Sequence, residues 1–543
     1  MKPEAPIAAP AAESPAAATD RRWLRAGYAF IAVFFLSRLA YLASGRIELS
    51  EDEAYQWLWS KHLDLSYFSK PPLIAYAQFL GTWLWGDTEF GIRFLSPVFA
   101  SVLSLGLLRF VAAEANARIA FWLIVMLVAT PMLALGSTLL TVDSPSVFFW
   151  VMAMITGWRA VQSDRLSAWC WTGVLTGLGL LSKYTAVVQI LGWLVFFALW
   201  RPAQVQLSRP GPYLALGIAL LAFLPVIWWN YQHDWITLTH LGDRGGLTER
   251  WTFRPKYLGE FLGSEFGLLN PVFFVGALWA CIAFWRRPKQ SPLLVYLFCM
   301  GAPLFIMYLL FTLRSRVLPN WIVPSVVPLF ALAVVFWGEE WRTRPRLVRA
   351  GLTTGLALGF IAVGLLHATE VIGFVMGRPI PAKLDPLHRV RGWREIAQMF
   401  ERERQGLMAE RKPVFLIAQH YGLTSILTFY NPEAKKHVSG EPLVYCLKKK
   451  HPENQFYFWP GYEQRKGQNA LYIEETYGDP PLPPELKEQF ESVTDLGLRE
   501  AYYHGQVFRR YKVYLCRNLQ EVRSPRAKSE GEVRGRSEGR SPD

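Results

Sequence analysis

The chain has 543 residues, of which 52% are apolar, 15% aromatic and only 18% charged, a charge density low for a soluble surface of that length. Its 35 Phe, 23 Trp and 22 Tyr exclude a disordered chain, and five Cys are too few for a disulfide-stapled secreted scaffold. The 57 Lys and Arg against 43 Asp and Glu leave +14, an excess that suits nucleic acid or an anionic membrane surface; the position of the charges discriminates between them.

Residues 1–20 are rich in Pro and Ala without apolar periodicity and read as a disordered leader. Arg21, Arg22 and Arg25 precede the apolar run 26–44, which leads directly into an acidic loop and is read as a retained first span rather than a cleaved signal. Hydrophobic stretches recur at 27–44, 95–113, 119–136, 145–162, 169–182, 185–200, 212–229, 271–285, 292–311, 320–338 and 350–369, which makes 11. A helical span needs about 17–25 apolar residues, so several are short, and 169–200 is read as two helices turning at Ser182-Lys183-Tyr184. With the N-terminus inside, all six inside segments are basic: Arg21/Arg22/Arg25, Arg109/Arg118, Arg159/Arg165, Arg201/Arg209, Arg286/Arg287/Lys289 and Arg342/Arg344/Arg346/Arg349. An odd span count then puts everything after about residue 370 on the outer face. Because much of the basic excess lies in these loops and in the tails, a nucleic-acid partner is not expected.

Beyond the spans the pattern changes. Pro413–Ala418 reads as a buried strand, Tyr421–Tyr430 as a helix, Ala470–Glu474 as a strand and Gln506–Cys516 as a closing strand. The expectation is a polytopic α-helical membrane protein of about 11 transmembrane helices, spanning 21–370, with a long first outer loop at 45–94. A small soluble α/β domain follows at 385–518, and an unstructured tail at 521–543. Cys446 and Cys516 both fall in that domain, where a disulfide can persist, but spacing alone does not establish one.

Few outer loops remain, and they hold the unusual polar residues. The first carries Ser50-Glu51-Asp52-Glu53 and Tyr67-Phe68-Ser69-Lys70-Pro71-Pro72; the second, Thr141-Val142-Asp143-Ser144-Pro145; the third, Lys183; the fourth, His233, His240, Asp243, Arg244, Glu260 and Glu265; the fifth, Arg314 and Arg316. Cations on the outer face run against the positive-inside bias, and a lipid-linked phosphate is a suitable partner for Lys70, Lys183, Arg244 and Arg316. Each feature also has a structural reading. Ser50-x-x-Glu53 is a capping box, Asp143-Ser-Pro an N-cap before an early Pro, and Lys183, Arg314 and Arg316 can snorkel at span ends. His240 reads more readily as a solvated loop histidine than as a ligand, and Arg38, late in the first span, can snorkel or pair with Glu48 or Asp52.

Three first-loop segments, Asp52-Glu53-Ala54-Tyr55-x-Trp57-x-Trp59-Ser60-Lys61-His62-Leu63, Ser66-Tyr67-Phe68-Ser69-Lys70-Pro71-Pro72-Leu73-Ile74-Ala75 and Gly86-Asp87-Thr88-Glu89-Phe90-Gly91-Ile92-Arg93, together resemble one known loop. It is the first outer loop of bacterial C-type (GT-C) glycosyltransferases of the protein-mannosyltransferase-like group, which includes lipid A aminoarabinose and lipopolysaccharide galacturonosyl transferases. Thr141–Pro145, Leu180–Tyr184 and Leu318-Pro319-Asn320-Trp321 add shorter matches. The resemblance implies transfer of a sugar from a polyprenyl-phosphate carrier to a lipid, glycan or protein acceptor at the outer face of the bacterial inner membrane. It implies Asp52 as general base, Glu53 as its orienting partner or a cation ligand, and Asp143 as a second acidic position for acceptor or sugar. Lys70 and Lys183 match donor-phosphate positions, and Arg244 and Arg316 are assigned to the same task. Ser69 replaces the acidic or histidine neighbour that some relatives use to bind a divalent metal, which leaves Glu53 and His240 as the two ligands available to a metal and metal dependence open. The competing class is a transporter or flippase of a lipid-linked or anionic substrate; the lack of internal repeats and the charges gathered at one surface favour the enzyme.

Overall fold

The computed structural model describes residues 15–246, 250–377, 380–408, 412–449, 451–503 and 505–520, and the chain divides into two compact units. The first comprises Met1–Tyr41, Phe94–Leu224 and Gly245–Gly364 and is helical. Among the described residues six helices are long and apolar enough to cross a membrane: Thr19–Ala43, Glu89–Glu114, Pro210–Gln232, Pro292–Phe311, Pro319–Glu340 and Pro345–His367. Two bent pairs, Tyr184–Leu199 with Arg201–Ser208 (115°) and Lys256–Leu268 with Pro271–Arg286 (110°), raise this to eight at most.

The difference from 11 has local causes. The stretch 119–136 is two helices, Ala117–Val128 and Pro131–Gly136, because Pro131 has no N–H to continue the helix and disfavours helical geometry at the residue before it. The stretch 145–162 forms a 21-residue helix, Asp143–Ser163, but it includes Asp143, Arg159 and Gln162. The stretch 169–200 does break where expected: Leu166–Ser182 ends at Lys183, which is extended, and a 3₁₀ turn at Tyr184–Val187 precedes Val188–Leu199. The first helix starts at Pro15, inside the segment expected to be disordered, while residues 1–14 and the tail 521–543 lie outside the described residues.

Several buried polar side chains of this unit find partners inside it, as an apolar surrounding favours. Buried Trp150 donates to the Met300 carbonyl at 3.0 Å, Gln189 to the Trp150 carbonyl at 2.8 Å and Tyr296 to the Met154 carbonyl at 2.7 Å. Gly359 lets two backbones touch: a Cβ there would stand 2.1 Å from the Ala129 carbonyl oxygen.

The second unit gathers Leu42–Arg93, Pro225–Arg244 and Leu365–Asp543. Its sheet has strands β1 (Val414–Ala418), β2 (Val444–Cys446), β3 (Asn469–Glu475), β4 (Phe490–Tyr503) and β5 (Gln506–Leu519), in the order β2-β1-β3-β5-β4. β1 is parallel to both its neighbours, and all five of its residues are buried, as its unbroken apolar run requires. β2 and β4 have weaker patterns and were not expected from sequence. Cys446 and Cys516 are free thiols: β2 and β5 are three strand spacings apart, about 14 Å, too far for a disulfide.

The first loop and the C-terminal α/β part share one core. Leu49, Ala54, Trp57, Leu58 and Ile92 pack in the same cluster as Trp393, Ile417, Ile426, Ile473 and Val513. Hydrogen bonds stitch the two segments: Leu49 N–H to the Tyr430 hydroxyl at 2.7 Å, Phe68 N–H to Gln455 Oε1 at 2.7 Å, Gln455 N–H to the Tyr55 hydroxyl at 2.6 Å and Trp393 N–H to Glu48 Oε2 at 2.5 Å. Gly422 allows the helix Tyr421–Tyr430 to lie against the helix Glu51–Lys61, since a Cβ there would meet the Glu51 carboxylate at 2.5 Å.

Candidate active site

The helix Glu51–Lys61 carries the acidic pair. Ser50 caps it: its Oγ accepts from Glu53 N–H at 3.3 Å, and its own N–H donates to Glu53 Oε2 at 3.0 Å, the reciprocal box read from the sequence. Glu51, Asp52 and Glu53 fill the first turn, where the helix dipole favours negative charge. Every residue from Glu53 to Ser60 is buried, whereas Asp52 is exposed at the tip. The helix start therefore presents one carboxylate outward and buries the next.

Glu53 is fully buried and held bidentately by Arg93, whose Nε and Nη2 each donate at 2.7 Å. Arg93 also donates to the carbonyls of Ile47 at 3.0 Å and Glu48 at 2.7 Å. Burial alone would push the Glu53 carboxyl up, but Arg93 and the Ser50 donors hold it below the usual carboxylate range. Both Glu53 oxygens are engaged by Arg93 and Ser50, so Glu53 is not free to join His240 as a metal ligand. Among the described residues no group of three His, Cys, Asp or Glu is arranged to hold one. Glu53 anchors the start of the helix that carries Asp52.

Around Asp52 the second unit assembles a polar cluster over an aromatic wall. The Tyr421 hydroxyl lies 3.4 Å from Asp52 Oδ1, and His420 Nδ1 is 3.7 Å from Glu51 Oε1. Burial pushes the Tyr421 hydroxyl up, Asp52 and Glu51 push it further, and Arg244 acts in the opposite sense. His240 is half-buried with its ring 4.7 Å from Phe68. Burial, then Arg244, then Lys70 lower its pKa, while Asp243 opposes them. His240 is thus packed against Phe68 rather than free in a solvated loop. Rings of Tyr421 and Tyr55 (4.5 Å, tilted), Tyr55 and Trp59 (4.9 Å, edge-to-face), and Trp59 and Tyr67 (4.5 Å, stacked) pack beneath.

The first unit brings together a different set. Asp143 is not an N-cap: Val142 takes that position, without a side-chain bond. Its carboxylate instead accepts from Lys183 Nζ at 2.6 Å and Asn320 Nδ2 at 2.7 Å. Lys183, expected at a donor phosphate or snorkelling, is buried and engaged by Asp143. Arg316 is exposed and pairs with Glu260 at 3.3 Å, and Arg314 donates to the Gly246 carbonyl. Asp143 borders a cavity of about 360 Å³ whose walls include Arg38, Ser144, Leu103, Val147, Asn320 and Val323. Tyr421, Arg93 and Asn320 were not given roles from sequence. Arg93 and Asn320 lie within the quoted motifs; Tyr421 carried no signal, as its approach to Asp52 depends on a contact between residues far apart in the chain.

Residues 69–229 match the family described as dolichyl-phosphate-mannose-protein mannosyltransferase. A lipid A galacturonosyltransferase of Rhizobium johnstonii is 28% identical over 332 residues, covering 61% of this chain and 68% of that protein. The undecaprenyl phosphate-alpha-4-amino-4-deoxy-L-arabinose arabinosyl transferase of Erwinia tasmaniensis is also 28% identical over 332 residues, 56% of each chain. The crystal structure of ArnT from Cupriavidus metallidurans in the apo state superposes with a TM-score of 0.59 at 17% identity, covering 92% of this chain and 98% of that one. The resemblance read from the first loop is borne out: the chain is similar in sequence to these sugar transferases and shares the fold of ArnT.

Proposed function

We propose that the chain is an integral membrane glycosyltransferase that moves a sugar from a polyprenyl-phosphate carrier to an envelope lipid acceptor by a single inverting displacement. An acceptor hydroxyl or phosphate oxygen attacks the anomeric carbon as the bond to the carrier phosphate breaks. Asp52 takes the proton when the attacking group is a hydroxyl. Lys70 and Arg244 meet the negative charge that grows on the departing phosphate, where fixed cations act most strongly. Asp143, tied to Lys183 and Asn320, is a positioning residue. Arg316, already paired with Glu260 at the surface, is dropped from the phosphate set.

The observation that supports it most is the exposure of Asp52 at a capped helix start, with Tyr421 at 3.4 Å and with Arg244 and Lys70 acting on the neighbouring Tyr421 and His240. Similarity to two lipid-directed sugar transferases supports the carrier and acceptor classes. Basic inside loops support a cytoplasmic N-terminus, with the C-terminal unit on the outer face of the inner membrane. The reading of 11 spans requires the shorter apolar helices to cross as well.

The test is comparative mass spectrometry of envelope glycolipids with and without the protein, followed by in vitro transfer with the Asp52→Asn variant. Asp52→Asn should lower turnover at least about 10²-fold while polyprenyl-phosphate binding persists; Lys70→Ala should weaken that binding. Full turnover by Asp52→Asn would remove the base assignment, and unchanged glycolipids would favour a transporter.

A further inference from the structure

The cavity beside Asp143 holds a cation that the proposed reaction does not use. Arg38 lies five residues before the end of the helix Pro15–Ala43 and lines this cavity of about 360 Å³. Among the described residues it has no hydrogen-bond or ion-pair partner. The other ionisable residue of the lining, Asp143, already has its charge met by Lys183 at 2.6 Å and its second oxygen by Asn320 at 2.7 Å. The remaining walls are mostly apolar, with Leu103, Leu127, Val147 and Val327 among them. A guanidinium left unpaired in such a lining is costly, and its planar fork matches an oxyanion.

Glu48 accepts from the Trp393 amide at 2.5 Å and faces Arg394 at 3.7 Å, and Asp52 faces Tyr421. Arg38 forms part of the cavity wall and, among the described residues, it is the one cation of that lining. The cavity thus combines a net positive group with greasy walls, which is the complement of an amphiphile with an anionic head.

We propose that Arg38 binds a second lipid-borne phosphate, one carried by the acceptor and distinct from the donor phosphate assigned to Lys70 and Arg244. The inference rests on the reading that the chain acts on lipid-linked substrates. The acceptor's phosphate lies on the guanidinium, and its first apolar carbons lie along Leu103, Val147 and Val327. Arg38 is a specificity residue that selects acceptors bearing an anionic head.

The test uses the full-length protein in nanodiscs with three probes: polyprenyl phosphate, a hexosamine-disaccharide lipid carrying one phosphate, and the same lipid dephosphorylated. Arg38→Gln should weaken binding of the phosphorylated disaccharide lipid at least about tenfold, leave the other two probes unchanged, and be largely rescued by Arg38→Lys. Unchanged affinity for the phosphorylated lipid overturns the proposal, as does a loss confined to polyprenyl phosphate, which would make Arg38 a donor cation. If Arg38→Gln fails to fold, Val147→Trp narrows the same cavity with the charge kept. Selective loss of the phosphorylated lipid in that variant supports the site, and wild-type affinity overturns it. Failure of the wild-type protein to bind polyprenyl phosphate would instead count against the transferase reading.

Discussion

Glu53→Gln separates an anchoring carboxylate from a reacting one. The substitution keeps the side chain's shape and removes its charge. Arg93, with its side chain 1% exposed, would keep its bonds to the Ile47 and Glu48 carbonyls but lose its counterion. Breaking a buried pair from one side costs about 3–5 kcal/mol, because the remaining charge stays out of water. The Ser50 hydroxyl would still accept from the residue 53 amide, so the helix start and the direction of Asp52 should persist. Thermal and chemical denaturation of nanodisc-embedded protein should therefore show a loss of that size. The double variant Glu53→Gln/Arg93→Met should lose less than the sum of the singles, with a coupling of about 1–3 kcal/mol. Turnover per folded molecule of Glu53→Gln should stay within about threefold of wild type, well above that of Asp52→Asn. A variant that melts like wild type yet loses turnover as Asp52→Asn does would refute this, placing the Glu53 carboxylate on the substrate.

Lys183→Met leaves Asp143 with Asn320 alone and should destabilise the membrane unit by about 3–5 kcal/mol. Asp143→Asn added to it should restore much of the loss, and additive losses in a double-mutant cycle would show that the pair does not couple. Glu48 supplies a pH dependence: burial pushes its carboxyl up to about 7, against the amides of Trp393 and Arg394. The folded state then holds a proton that the unfolded chain releases near pH 4.5. This group's contribution is complete below that pH and is lost as pH rises to 7, by at most about 3 kcal/mol. Glu48→Gln should flatten the melting temperature against pH over that interval, and parallel curves for the two proteins would contradict the assignment.

The paired acids illustrate how local and distant information divide. The capping box at Ser50 and Glu53 is four residues long, and the structure reproduces it as read. That Glu53 faces inward to Arg93, 40 residues away, while Asp52 faces outward, is a matter of which side of the helix the core covers. Asp143 shows the reverse case. A cap and a positioning carboxylate have the same local sequence, and only the approach of Lys183 and Asn320, from segments 40 and 177 residues distant, removed the cap reading.

Composition and hydropathy were enough to indicate many apolar helices of membrane-crossing length, the break at Lys183 and an α/β segment after the last apolar helix, because apolar helices and buried strands leave periodic local signatures. The first-loop motif was enough to indicate relationship to C-type glycosyltransferases. Tertiary structure alone decided that the first loop and the C-terminal sheet share one core, that the sheet keeps Cys446 and Cys516 apart, and that Arg38 lines a cavity without a partner. Those facts depend on contacts between residues hundreds of positions apart, for which an amino-acid pattern read a few turns at a time carries no information.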